Sequence, residues 1–143
     1  MNKSSLLMIG NYLLSKNWNK NISFYLAEKL SKEGWHVITT SLKEKRILRL
    51  WDMLLTILGK RNIYQLAQID VFSGKAFFYA EVCTYLLRLL KKPVILTLHG
   101  GGLPEFSIRF PKRMNNLLNS ANFVVTPSPF IQKALSRFRR DIY

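Results

Sequence analysis

Five short apolar runs, separated by segments of helical spacing, constrain the fold of this chain more than any other feature. They are Ser5 to Ile9, Trp35 to Thr40, Tyr64 to Phe72, Val94 to Leu98 and Asn122 to Thr126. Each has the length and apolar or β-branched content of a strand. Between them, Trp18 to Lys32 places Ile22, Tyr25, Leu26 and Leu30 at helical spacing and closes at Gly34, while Glu44 to Leu58 is apolar at helical spacing and closes at Gly59. Ser73 and Gly74 make a cap and turn before a helix from Lys75 to Leu90. Further helices are expected around Phe110 to Asn119 and from Pro129 to Phe138, with Pro127 and Pro129 marking the turn. This alternation predicts an α/β fold, a doubly wound, Rossmann-like parallel sheet with helices on both faces. No linker or low-complexity tract divides the chain, so residues 1–143 are expected to form one domain.

In such sheets ligands sit outside the carboxyl ends of the strands. Those ends carry Gly10 and Asn11, Ser73 and Gly74, His99 to Gly102, and Pro127 and Ser128, so four loops are expected along one edge. The sharpest stretch is VILTLHGGGLPEF, Val94 to Phe106. Glycines at a strand end let the backbone come close to a ligand and offer amide donors, and the adjacent His99 can donate a hydrogen bond to a hydroxyl or carbonyl. An esterase oxyanion loop has this form, but it requires a G-x-S-x-G elbow and a downstream histidine, and the chain has neither. A dinucleotide-binding oxidoreductase is excluded because GNYLLSKN follows the first run where G-x-G-x-x-G is required.

Charge narrows the partner. The chain holds 22 Lys and Arg against 8 Asp and Glu, a net +14, which points to an anionic partner: a nucleic acid, a phosphorylated substrate or an acidic membrane surface. Trp18, Trp35 and Trp51 fall inside expected helices and strands, where a core role outweighs base stacking, so no specific nucleic-acid partner is expected. Lys43 to Arg61 joins Trp51 and many leucines to basic ends. Its apolar residues go almost all the way round, so packing on the sheet is favoured, with lipid contact through the basic ends. The lone Cys83 reads as a buried, inert thiol in a reduced cytoplasmic setting. Asn11 interrupts the N-terminal apolar run, which reads as a strand rather than a signal peptide. Ala76 to Leu90 is too short, and too broken by Glu81, Thr84 and Arg88, to span a bilayer. The carboxylates show no metal-ligand spacing.

In order along the chain, MIGNYL, LAEKLSKEGWHVITTS, QIDVFSGKAFFYAE, KPVILTLHGGGLPEF and ANFVVTPSPFIQKAL resemble the N-terminal half of the family 4 glycosyltransferases, retaining nucleotide-sugar enzymes of two-domain GT-B architecture. The resemblance implies transfer of a hexose from a nucleotide-sugar donor to a glycan or lipid-linked acceptor, with no metal and no cofactor beyond the donor substrate; the charge and Lys43 to Arg61 add the expectation of a cytoplasmic protein peripheral at the inner face of the membrane. It implies that His99 is the catalytic residue and orients a donor-sugar hydroxyl. By the same correspondence Gly10, Asn11, Ser73, Gly74, Gly100, Gly101 and Ser128 bind substrate. The chain departs from the family in having SKNWNKN where many members have a glycine-rich loop. It also lacks the C-terminal donor-binding domain with its Glu-x7-Glu pair, since no two of its glutamates stand eight apart. The implied product is therefore a half enzyme, inactive without its missing domain. The alternative from a different class is a non-catalytic basic α/β module that binds nucleic acid or an acidic membrane.

Overall fold

Strand and helix alternate as the sequence predicts. The structure, a computed structural model, describes residues 4–10, 12 and 22–143. Its strands β1 (Ser5–Ile9), β2 (His36–Thr40), β3 (Leu66–Val71), β4 (Val94–Leu98) and β5 (Phe123–Val125) form one parallel sheet in the order β2-β1-β3-β4-β5. Helices α1 (Ile22–Lys32), α2 (Arg46–Gly59), α3 (Phe77–Leu89), α4 (Leu103–Arg109), α5 (Pro111–Ser120) and α6 (Pro129–Leu135) flank it. This is the doubly wound class, with the strand order of the flavodoxin-like branch. The chain divides into two compact units, Met1–Gln68 and Ile69–Tyr143. Among the described residues no helix is long and apolar enough to cross a membrane.

In the first unit β1 and β2 run parallel with Ser5 opposite His36 and Ile9 opposite Thr40. The pairing continues past the strands through Gly10 N to Thr40 O at 2.7 Å and Tyr12 N to Ser41 O at 3.0 Å. Every residue of β1 is buried, as befits a strand covered on both faces. Leu6 and Met8 pack with Tyr12 and Ala27, against Phe24, Leu30, Trp35, Val37 and Leu66. Of the four apolar residues at helical spacing in α1, Leu30 packs on this core and the other three do not. Ser23 and Ala27 are buried, whereas Ile22, Tyr25 and Leu26 are exposed. Two small residues let a helix approach closely, and the spacing of large apolar residues gave no sign of that. Helix α2 is tied down by Thr40 Oγ1 donating to Asp52 Oδ2 (3.2 Å) and by the buried Tyr64 hydroxyl donating to Ile57 O (2.9 Å). Burial pushes the Tyr64 phenol up to about 12.

In the second unit β4 and β5 pair with Ile95 opposite Phe123 and Thr97 opposite Val125. Ile142 bridges to Val124, so the residues after α6 return to the outer side of β5. Arg139 holds that return in place. Its guanidinium donates to Leu118 O (2.7 Å), Ala121 O (2.8 Å) and Asn122 O (3.0 Å) and pairs with Asp141, satisfying carbonyls at the end of α5 that the helix leaves open. The buried Cys83 thiol is free, and burial lifts its pKa to about 12, in keeping with an inert thiol. One helix, α4, was not expected. Pro104 lies in its first turn and Pro111 in the first turn of α5, positions where the missing amide costs nothing.

Candidate functional site

The second unit brings three of its strand ends into close relation. After β4 the chain continues the ladder for one residue, with the His99 amide donating to Val71 O at 2.9 Å. That step fixes the imidazole beside β3. His99 Nε2 lies 3.0 Å from Asp70 Oδ1, and the Phe72 ring stacks on the imidazole at 5.2 Å with 19° between planes. The two side chains are only 11% and 1% exposed for His99 and Asp70 respectively. A carboxylate oxygen accepts, so the contact is made by an Nε2–H donor on the imidazole. Asp70 is the one charged residue of β3 (LAQIDV) and is buried, a rarity that signals a partner, yet no motif of the sequence had singled it out. The signal was there in AQIDVF.

The three glycines have separable causes. Gly100 has φ +84°, a left-handed conformation that costs any residue with a Cβ about 1–2 kcal/mol. Gly102 is needed for space, because a Cβ there would meet Ser73 Oγ at 2.5 Å and Ser73 Cβ at 3.3 Å. Gly101 has open space where a Cβ would stand. Gly100 is thus explained by its backbone conformation and Gly102 by how the β3–α3 and β4–α4 loops touch each other. Gly102→Ala is expected to cost about 1 kcal/mol, since Ser73 Oγ can rotate away while Ser73 Cβ must give, and Ser73→Gly in the same chain should recover most of the loss. Thermal unfolding of the single and double variants checks this; a single variant as stable as the parent would contradict the close approach.

The remaining expected site residues have definite places. Gly74 opens a single 3-10 turn, Gly74–Ala76, that leads into α3, and Ser73 precedes it. Ser128 caps α6, its hydroxyl accepting from Ile131 N at 3.4 Å while its own amide donates to Thr126 Oγ1 at 3.3 Å. Thr126 Oγ1 in turn donates to Leu98 O at 3.1 Å, tying the ends of β4 and β5. Gly10 belongs to the first unit, hydrogen-bonded to Thr40 and Ser41. Asn11 lies outside the described residues, as do Trp18 and the segment SKNWNKN. Chemically, the cluster holds a buried carboxylate, an imidazole hydrogen-bonded to it and an aromatic ring stacked on that imidazole. Among the described residues no group of three His, Cys, Asp or Glu could hold a metal ion.

No protein-family model matches the chain, and no curated protein matches it. Among solved structures it is similar to the response regulator protein TrrA from Thermotoga maritima, determined in complex with Mg²⁺ and BeF. The two share 15% identity and a TM-score of 0.55, over 94% of this chain and 98% of that one. At that identity the likeness establishes the fold.

These findings correct the assignment to the family 4 glycosyltransferases. The solved structure that the chain matches over 94% of its length is a response regulator and not a glycosyltransferase. With it fall the hexosyltransferase activity, the nucleotide-sugar donor, the glycan or lipid-linked acceptor, the missing donor-binding domain and the anionic membrane surface. The basic module for nucleic acid or membrane gains no support either. The physical reason is that LAEKLSKEGWHV and its companions record how a helix packs on a parallel sheet, a constraint shared by unrelated chemistries.

Proposed function

We propose that this chain is a signalling module of the response-regulator fold that works through the Asp70–His99 pair and protein contact rather than by taking up a phosphoryl group. The observation that carries the reading is the Asp70 side chain, 1% exposed and hydrogen-bonded to His99. The signalling half is supported by the likeness to TrrA over nearly the whole of both chains. The second half is supported by access and charge. A phosphoryl acceptor must be reached by its donor and needs cationic charge on the incoming oxygens. Here the Asp70 side chain is 1% exposed with the imidazole on its Oδ1, and the described residues offer no group of three His, Cys, Asp or Glu for a divalent cation. They do not fit the Mg²⁺ and BeF that TrrA holds.

On this reading the pair is the coupling element. Asp70 anchors the β3 side and His99 the β4 side, so a change in either loop must break or remake one buried hydrogen bond, an all-or-none event suited to switching. A cytoplasmic location is part of the reading, supported by the buried free thiol. Two measurements test it. After incubation with Mg²⁺ and a small acyl phosphate, intact-mass analysis should show no added phosphoryl group; stable incorporation at Asp70 would overturn the phosphoryl-free mechanism. In hydrogen exchange, His99→Ala should raise exchange in residues 72–76 and 99–103 together while the centre of α3 keeps its protection. An unchanged 72–76 loop would remove the coupling.

A further inference from the structure

Helix α2 is apolar on two sides. Its inner side buries Met53 and Ile57. Its outer side exposes Ile47 (74%), Leu48 (52%), Trp51 (58%), Leu55 (62%) and Leu58 (38%). At 100° per residue these five fall in a stripe roughly 100° wide, on the opposite side of the helix from Met53 and Ile57. The spacing 47, 51, 55, 58 is that of the anchors with which a helix is read by another helix. Charge frames the stripe at its ends. Lys45 and Arg46 precede it and Lys60 and Arg61 follow it, all exposed, and residues 43–61 hold six basic residues against Glu44 and Asp52.

We infer that the outer face of α2 docks an amphipathic helix of a protein partner whose acidic residues lie at its two ends, about 20 Å apart, to meet the two basic clusters. This goes beyond the reading above and stands without it: the stripe belongs to the first unit and the Asp70–His99 pair to the second. Charge decides among occupants. A second copy would set basic ends against basic ends in either direction, on a chain of net +14, and like charges opposed across an interface are costly. An anionic lipid surface would bring its headgroups beside Asp52, which is half-buried with Oδ2 accepting from Thr40 and borders the stripe one helical step from Leu48. A partner helix avoids that by placing a small or basic residue there.

The test uses the full chain and a designed, fluorescently labelled helical peptide of about 18 residues, with a leucine seam and glutamates at both ends. Saturable binding is expected, weakened at least ~10-fold by Trp51→Ala and by Lys60→Glu with Arg61→Glu. These side chains are exposed, so circular dichroism of each variant should match the parent; Ile47→Ser supplies a second probe of the stripe. Equal affinity for a peptide with lysine ends would overturn the charge argument. Two other results would overturn the proposal by assigning the face elsewhere: binding to anionic vesicles but not to the peptide, or a dimer in sedimentation that Trp51→Ala dissolves.

Discussion

Asp70→Ala should destabilise the protein by about 2–4 kcal/mol. The substitution removes a buried acceptor and leaves the His99 Nε2 donor, 3.0 Å away, without it. A donor stranded away from water costs about 1–3 kcal/mol, and breaking a buried polar pair by deleting one member costs more than its net worth. Asp70→Asn keeps a side-chain oxygen that can accept, so its loss should be smaller. Combining Asp70→Ala with His99→Ala gives the direct measure. If the two side chains act as one element, the double variant loses clearly less than the sum of the singles, with a coupling above about 1 kcal/mol by denaturant unfolding. Simple additivity would show that the pair is a coincidence of position.

Phe77→Ala should be at least as damaging, with a loss of about 3–5 kcal/mol. Phe77 is fully buried at the start of α3, and its ring centre is 4.4 Å from that of Phe106 in α4. The Arg113 guanidinium from α5 lies over the same cluster, 5.4 Å from Phe77, 5.3 Å from Phe106 and 5.4 Å from Phe110. Two hydrogen bonds to Glu81 fix it there, and the carboxylate holds the guanidinium above its ordinary pKa. The ring therefore joins three helices at once, and alanine would leave a cavity that none of them can close alone. Phe77→Leu fills most of that space and should cost about 1.5 kcal/mol or less. Thermal and urea unfolding of the two variants checks the order; equal effects would mean that ring geometry at this junction is irrelevant.

What the sequence disclosed depends on whether a feature is local. β1 and β4 fall where Ser5 to Ile9 and Val94 to Leu98 were expected, because a short apolar run between turn residues has few other fates. The doubly wound class follows from the order of such runs. α4 was hidden, since Pro104 and Pro111 look like breakers unless one already knows that each sits in a first turn. In α2, leucines on every side suggested a helix wrapped in core, yet only Met53 and Ile57 are fully buried. Composition cannot say which of two apolar faces a sheet will take.

The site was half legible for the same reason. His99 and its glycines stand out because imidazole and bare backbone are contiguous at a strand end. Asp70 lies 29 residues earlier, and only the adjacency of β3 and β4 brings the two together. Ser128 was expected to bind substrate, and in the fold its hydroxyl caps α6. Motifs that match in order carried the family assignment too far, because each reported α/β packing rather than the chemistry of a site.

On the proposed reading Asp70 is committed to His99 and is not a phosphoryl acceptor. Nitrogen-15 NMR of the imidazoles tests it most directly, since the chain has only two histidines and a His36→Gln variant identifies the second. The account predicts one slowly exchanging Nε2 proton on His99 that disappears in Asp70→Ala and keeps its position when Mg²⁺ and beryllofluoride are added to the parent protein. A His99 ring proton that exchanges freely, or a resonance that moves in saturable fashion with Mg²⁺ and beryllofluoride, would contradict it.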